Sequence, residues 1–272
     1  KRTMMFVATS GHFQALQGIR EYVEKHIEEW QPAGWFQKKE TPVKNIYLWV
    51  GLDIASQTRS FGIFYKGWFY DYREDIQGRF SDIARVCREN SEKVGNVLGF
   101  NYKRFFNDGV NPVDGKNWRN FISGRPAFDS EVITMAGGNG ITFASTDDSR
   151  ALIDTPFDRP ENVNIANVAQ QVKLIHCLMW HIVTDTNEPG DVKMQRMPIT
   201  DPSKWSRMAL QGGFATVQGR IQMFNPRKSF IANSEPRLKG SLVVVRNRNK
   251  SFMGVRGNMI QSADGDGNFF AF

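Results

Sequence analysis

The chain has 272 residues, of which 40% are hydrophobic, 12% aromatic and 23% charged, and its formal net charge is +7. A chain of this length and composition can bury a sizeable apolar core without disulfides or a structural metal, so disordered, collagen-like and coiled-coil classes are disfavoured. Its apolar runs fall well short of the roughly 18 residues that cross a bilayer, so we expect no membrane partner.

The first part of the chain predicts one helix followed by three strands. Ser10 is a good helix-capping residue, and apolar residues recur every three or four positions from Phe13 to Trp30. Aromatic and branched residues then favour strands at 45–54, 60–65 and 68–72. Because these strands follow one another directly, we expect an antiparallel meander.

The middle of the chain predicts two more helices and a further pair of strands. Apolar spacing predicts a helix over 81–98, with Gly99 in the C-terminal cap position. Segments 131–135 and 141–144 flank a glycine-rich turn and predict a hairpin. The third main helix is expected to start at Pro160, a residue favoured in the first turn.

The last part of the chain predicts strands rather than long helices. Proline and glycine interrupt residues 185–240, and segments 242–245 and 252–255 predict a hairpin with a basic tip. The fold class is therefore α+β, with antiparallel strands, three main helices and a β-rich basic C-terminal part. We expect residues 1–200 to form a charge-neutral mixed core, and residues 201–272 to pack on it within one globular unit.

The positive charge is concentrated in the last quarter of the chain. Residues 1–200 contain 24 basic and 24 acidic side chains, whereas residues 201–272 contain 11 basic and 4 acidic ones. All 11 of these cations lie between Lys204 and Arg256, and Glu235 is the one acid in that interval. The interval is called the basic segment below.

Cations interspersed with aromatic rings are typical of a surface that binds a polyanion. Lysine and arginine displace counterions from phosphates, and planar rings stack on exposed bases. We expect a single-stranded nucleic acid bound with little sequence preference, as by a coat protein or nucleoprotein of a virus whose copies assemble along a strand. The assigned phosphate contacts are Arg220, Arg227, Lys228, Arg246, Arg248, Lys250 and Arg256, and the assigned stacking residues are Phe224, Phe230 and Phe252. A structural protein that binds an acidic protein partner is an alternative.

A second alternative depends on residues 51–64, with the sequence GLDIASQTRSFGIF. This segment resembles the opening of the RNase H-like families, which include resolvases and transposases. The resemblance implies that Asp53 is a metal-binding acid, that Gly62 is the second-strand glycine, and that Mg²⁺ assists a nuclease or strand-transfer reaction. A strand that ends in Asp before a polar turn is also ordinary hairpin design. Under the leading hypothesis we expect no catalytic residue, metal or cofactor.

The remaining polar motifs predict structural roles. The acids Asp147, Asp148, Asp154, Asp158 and Glu161 precede the third helix, where capping and solvation are the expected roles. Residues 263–268, ADGDGN, predict a turn, and the four histidines lack metal-ligand spacing. The two cysteines lie in apolar helical patterns, which predicts reduced thiols and an intracellular, reducing compartment.

Overall fold

The computed structural model describes residues 3–12, 16–28, 47–67, 77–111, 118–122, 126–135, 138–153, 155–184, 217–223, 236–246 and 258–271. Within these ranges the helices are α1 Gln17–Glu28, α2 Ser81–Leu98, α3 Asp129–Met135 and α4 Ile165–Thr184. The strands are β1 Trp49–Asp53, β2 Phe61–Phe64, β3 Phe106–Asp108, β4 Gly140–Ser145, β5 Val217–Arg220, β6 Leu242–Arg246, β7 Asn258–Ser262 and β8 Asn268–Ala271. The predicted α+β class is confirmed.

Four strands form a mixed sheet in the order β1-β4-β2-β3. β4 is parallel to β1 and antiparallel to β2, and β3 is parallel to β2. The predicted strands at 45–54 and 60–65 are confirmed as β1 and β2, but the predicted meander is wrong because β4 lies between them. All six residues of β4 are buried, as suits a strand with a neighbour on each side. The strand predicted at 68–72 lies outside the described residues.

Helices cover both faces of this sheet. On one face, Ile141 and Phe143 of β4 belong to the main hydrophobic core, which includes residues of α2 and α4. On the other face, Ala144 packs with Phe64 and Phe128, and Ser130 of α3 is hydrogen-bonded to Thr142, with 2.6 Å between their hydroxyl oxygens. The two central strands, β2 and β4, are buried throughout, whereas Leu52 of the edge strand β1 is 64% exposed.

Helix α2 has the predicted bounds. Gly99 follows it in a left-handed conformation, with φ of 71°, which glycine adopts without strain. Ile83 and Cys87 are buried as predicted, but Val97 at the last turn is 84% exposed. Burial raises the pKa of the Cys87 thiol, and both cysteines are free.

Helix α3 occupies a segment for which the sequence predicts a strand, and that prediction is wrong. The β-branched residues at 131–135 favour a strand, but the Glu131 carboxylate accepts a 2.8 Å hydrogen bond from the Phe128 N–H and so caps the start of a helix. Its second oxygen accepts a 2.7 Å bond from the Gly67 N–H, just beyond β2. The predicted hairpin with 141–144 is therefore wrong as well, although 141–144 lies within β4.

Helix α4 begins after a short 3₁₀ turn over Pro160–Asn162, close to the predicted start. Its buried face differs from the prediction, because Ile165 is 69% exposed whereas Asn167 and Gln171 are buried. The Gln171 amide donates to the carbonyl oxygens of Ala55 and Thr58, at 2.9 and 2.8 Å. These bonds turn a polar stripe of α4 toward the loop after β1.

The described C-terminal residues form two strand pairs. β5 pairs with β8 and β6 pairs with β7, both antiparallel, and β7 lies against α1 and α3. The predicted strand at 242–245 is confirmed as part of β6. Its partner in the described residues is β7. The predicted partner strand, 252–255, lies outside the described ranges. The predicted turn at 263–268 is confirmed, since the Asp264 carboxylate accepts hydrogen bonds from the N–H groups of Asp266 and Asn268.

Candidate functional site at the carboxyl ends of β1 and β4

The parallel pair β1 and β4 brings two polar segments to one edge of the sheet. β1 ends at Asp53 and β4 at Ser145, which is followed by the loop 146–150. In open sheets with parallel strands, ligands bind outside the carboxyl ends of those strands. A ligand site is therefore expected at this edge of the sheet.

Asp53 forms an ion pair with Arg150. The Arg150 Nη1 lies 2.8 Å from the Asp53 Oδ1, and the two side chains are 14% and 22% exposed, respectively. Arg150 Nη2 also lies 3.4 Å from the Asp53 carbonyl oxygen. Asp53, the acid that the RNase H-like resemblance assigns to a metal, thus contacts a guanidinium group. Among the described residues there is no group of three or more histidine, cysteine or carboxylate side chains that could hold a metal ion.

A second pair joins the N-terminal segment to α3. The His12 Nδ1 lies 3.2 Å from the Asp129 Oδ1, and the Thr9 hydroxyl donates a 2.7 Å bond to the Asp129 Oδ2. The hydrogen bond to Asp129 is the main cause of a raised His12 pKa, which burial opposes. Smaller electrostatic effects come from Asp53, which raises the pKa, and from Arg150, which lowers it. The two pairs are therefore close enough to interact.

The loop that carries His12 is held by close backbone contacts. The N–H groups of Leu16, Gln17 and Gly18 donate to the carbonyl oxygens of His12, Gly11 and Ser10, at 3.0 to 3.1 Å. A Cβ atom on Gly18 would lie 2.1 Å from the Ser10 carbonyl oxygen, so only glycine fits there. Ser10 thus belongs to this loop, and the predicted helix starts at Gln17 as α1.

Three non-glycine residues of the described chain have a left-handed backbone: Leu16, Asp147 and Arg150, with φ of 59°, 57° and 52°. Aspartate tolerates this conformation, but leucine and arginine adopt it at a cost of roughly 1 kcal/mol each. Leu16 lies in the loop of His12, and the other two lie in the loop after β4. Backbone strain of this kind is concentrated at functional sites.

The acids predicted to cap the third helix have different roles at this edge. The Asp148 carboxylate accepts a 2.7 Å bond from the Arg150 N–H, and the Ser60 hydroxyl donates to Asp147 at 3.1 Å. Both acids fix the loop after β4 rather than cap a helix, and Asp147 is also exposed, in agreement with the predicted solvation. The amide oxygen of Asn164 accepts the N–H of Asn167 at the start of α4. Asp158 and Glu161 are exposed, and Asp154 lies outside the described residues.

Most residues assigned to nucleic-acid binding lie outside the described ranges: Arg227, Lys228, Arg248, Lys250, Arg256, Phe224, Phe230 and Phe252. Arg246 ends β6. Arg220 is exposed at the end of β5, where its Nε donates a 3.1 Å bond to Asn268. Nearby, Arg237 is paired with Asp266 at 3.1 Å, so two cations of the basic segment flank the turn at 263–268.

The two pairs, Asp53 with Arg150 and His12 with Asp129, are together called the charged cluster. The sequence interpretation missed His12, Asp129 and Arg150 as members of it. No motif spacing could reveal them, because they come from three distant parts of the chain. The one usable signal is topological. A parallel arrangement of β1 and β4 would have placed the polar run after Ser145 beside Asp53.

Comparison with known protein families, with curated proteins and with solved structures finds no match for this chain. Among the described residues, no helix has the length and apolar character that a membrane crossing requires.

The His12 pair predicts that stability depends on pH. Because the folded-state pKa is raised above 6.5, the stabilisation is fully present below that pH and is lost as the pH rises through the folded-state pKa. We expect His12→Gln to destabilise the protein at about pH 5.5 and to have a smaller effect at about pH 9, as measured by urea unfolding. His176→Gln, on an exposed residue of α4, is the control. An equal effect of His12→Gln at both pH values would contradict the prediction.

Proposed function

We propose that the protein binds nucleic acid, single-stranded and with little sequence preference, through the basic segment. The observation that carries this proposal is the charge distribution: 11 cations and one acid between Lys204 and Arg256, in a chain whose first 200 residues are neutral. Seven of the 11 cations are arginine, whose planar group makes forked contacts to phosphate and stacks on rings.

The described part of the basic segment supports this proposal. Arg220 and Arg237 lie on neighbouring backbone, since Gln222 and Arg237 form a bridge next to β5. Their partners are Asn268 and the exposed Asp266. Exposed pairs contribute at most about 1 kcal/mol, so a phosphate group can replace these partners at little cost.

A salt titration tests the proposal. We expect a fluorescently labelled single-stranded oligonucleotide to bind with an affinity that falls steeply with salt, with a slope of log K against log salt of about −0.7 for each phosphate contacted. Seven contacts predict a slope of about −5. Fluorescence anisotropy with DNA, RNA and duplex probes measures the slope and the strand preference. A lack of binding at about 50 mM salt would contradict the proposal.

Gel electrophoresis of the same labelled oligonucleotides, with and without a divalent metal ion, distinguishes the two alternatives. An RNase H-like enzyme would produce oligonucleotide fragments in the presence of Mg²⁺ or Mn²⁺, and Asp53→Ala would abolish them. A protein that binds an acidic protein partner would leave every oligonucleotide unbound at moderate salt. Oligonucleotides that migrate more slowly in the gel when the protein is present, and that stay intact, support the proposal.

A further inference from the structure

Helix α4 has apolar side chains on its outer face as well as on its buried face. Leu174 and Leu178 are buried in the main core, whereas Trp180 on the opposite side of the helix is 63% exposed. A surface helix usually has polar residues on its outer face, so an apolar outer face indicates a binding surface. Exposed residues recur along α4 at intervals of three or four positions, which places them on one side of the helix. They are called the α4 stripe: Ile165, Ala169, Val172, His176 and Trp180.

Apolar side chains of the turn before α4 enlarge this exposed surface. Phe157 is 65% exposed, and its carbonyl oxygen accepts a 2.8 Å bond from the Asn162 amide, which holds it close to the first turn of α4. Val163 is exposed as well. Large apolar side chains present roughly 150 to 250 Å² each when fully exposed, so Phe157, Val163 and the large apolar residues of the α4 stripe together expose roughly 500 Å². That area is close to the largest apolar patches that monomers expose.

The size of this apolar surface agrees with that of a homodimer interface. A stable protein interface buries about 800 Å² on each partner. About 65% of a homodimer interface is apolar, so each copy must supply roughly 500 Å² of apolar surface. Trp180 is also one of the residue types that contribute most of the binding energy at protein interfaces.

The charge of the surface favours a second copy of the chain over a charged partner. Lys173 is the one lysine, arginine, aspartate or glutamate residue in α4, and it is exposed beside the α4 stripe. A nucleic acid is bound by many cations, so this face does not suit it. Two copies that each carry a net charge of +7 repel each other, and this repulsion is weakest where the contacting faces carry little charge.

The order of residues in the α4 stripe suits pairing of the stripe with itself. Val172 is seven residues after Ile165 and eight residues before Trp180, so it lies at the middle of the stripe. In an antiparallel pair of α4 helices related by a two-fold axis, Val172 meets the same residue of the second copy, and each Ile165 meets the Trp180 of the other copy. The short side chain of Ala169 allows the helices to approach closely. Antiparallel helices also place opposite ends of their dipoles side by side.

We propose that two copies of the chain associate through the α4 stripe, as an antiparallel pair of α4 helices about a two-fold axis close to Val172. Phe157 and Val163 of each copy lie at the ends of this interface. Because both copies use the same surface, the interface is closed and gives a dimer rather than a filament. The proposal is independent of nucleic-acid binding by the basic segment.

Sedimentation equilibrium of the full chain at roughly 1 to 100 µM tests the proposal. We expect a species of twice the chain mass of 31.1 kDa, with a dissociation constant in the micromolar range. Val172→Glu places two carboxylates at the axis and should leave the protein monomeric. Trp180→Ala, a second variant that adds no charge, should raise the dissociation constant about ten-fold or more. Circular dichroism confirms that each variant is folded.

The matched control is Val97→Glu. Val97 is another exposed apolar residue, in the last turn of α2, and it is not part of the α4 stripe. This variant introduces the same carboxylate as Val172→Glu. It should leave the dissociation constant unchanged.

Disulfide trapping tests the antiparallel arrangement. Val172→Cys is made in a chain that also carries Cys177→Ala, which removes the half-buried native thiol of α4. A disulfide requires β-carbons about 4 Å apart, a distance that two residues at the axis reach in a dimer. We expect a covalent dimer on mild oxidation, whereas Val97→Cys in the same background should stay largely monomeric.

Three results would show that the proposal is wrong: a parent chain that is monomeric at about 100 µM, a Val172→Glu variant that is still a dimer, or a Val97→Glu variant that dissociates equally. Urea unfolding identifies the reason for a monomeric parent. If Val172→Glu then lowers the free energy of unfolding strongly, another part of the same chain covers the α4 stripe. If stability is unchanged, the stripe is free of the chain and a different molecule is its partner.

Discussion

Neutralising five cations of the basic segment is expected to lower the affinity for a single-stranded oligonucleotide by about a thousand-fold at about 0.1 M salt. The variant replaces Arg227, Lys228, Arg248, Lys250 and Arg256 with glutamine. Each cation that contacts a phosphate releases a condensed counterion and contributes about −0.7 to the slope of log K against log salt. Five contacts therefore contribute about 3.5 units of log K at about 0.1 M salt, relative to about 1 M salt. Fluorescence anisotropy gives the affinity, and the slope against log salt should become shallower by the same 3.5 units or so.

The control for this variant carries the same charge change on the neutral part of the chain. It replaces five exposed cations with glutamine: Lys103, Arg104, Arg119, Arg159 and Lys173. If nonspecific attraction by the net charge were the cause, both variants would lose affinity equally. Equal losses, or full affinity of a folded basic-segment variant, would refute binding through the basic segment.

Glu131→Ala is expected to destabilise the fold by about 3 kcal/mol. The Glu131 side chain is fully buried, and its two oxygens accept hydrogen bonds from the N–H groups of Gly67 and Phe128. Removing the carboxylate leaves both donors without this acceptor, at a cost of roughly 1 to 3 kcal/mol for each buried group. Urea denaturation monitored by circular dichroism measures the change.

Two further variants separate this effect from a general effect of removing a glutamate. Glu89→Ala removes an exposed carboxylate that pairs with Arg85 on α2, and it should change stability by no more than about 0.5 kcal/mol. Glu131→Gln keeps one acceptor oxygen but turns an amide donor toward the other N–H, so it should be intermediate. A loss below about 0.5 kcal/mol for Glu131→Ala would show that these bonds contribute little.

Local sequence signals were sufficient for the elements that local chemistry determines. Helix α2 has the predicted bounds because an amphipathic run ends at a glycine, and β1 and β2 lie within runs of aromatic and branched residues. The predictions were wrong where distant contacts decide the structure. Glu131 caps α3 and also binds the backbone beyond β2. Gln171 is buried because it binds the loop after β1.

The candidate site was even less accessible from sequence. The sequence indicates Asp53 because it ends a predicted strand, but its partner Arg150 is determined by the pairing of β1 with β4. His12 depends on a close approach of Gly18 to Ser10, which no spacing rule describes. The charge of the basic segment is a property of composition and could be counted directly, whereas the charged cluster is a property of topology.

The strand order also determines when the sheet can form. β4 lies between β1 and β2, so Trp49 pairs with Gly140 and Phe61 pairs with Ser145. During synthesis, β1 and β2 leave the ribosome long before the strand that joins them. Until then the nascent chain exposes two unpaired apolar strands, which makes slow folding and association with chaperones the expected behaviour. A fragment that stops before Gly140 lacks this central strand and is expected to aggregate.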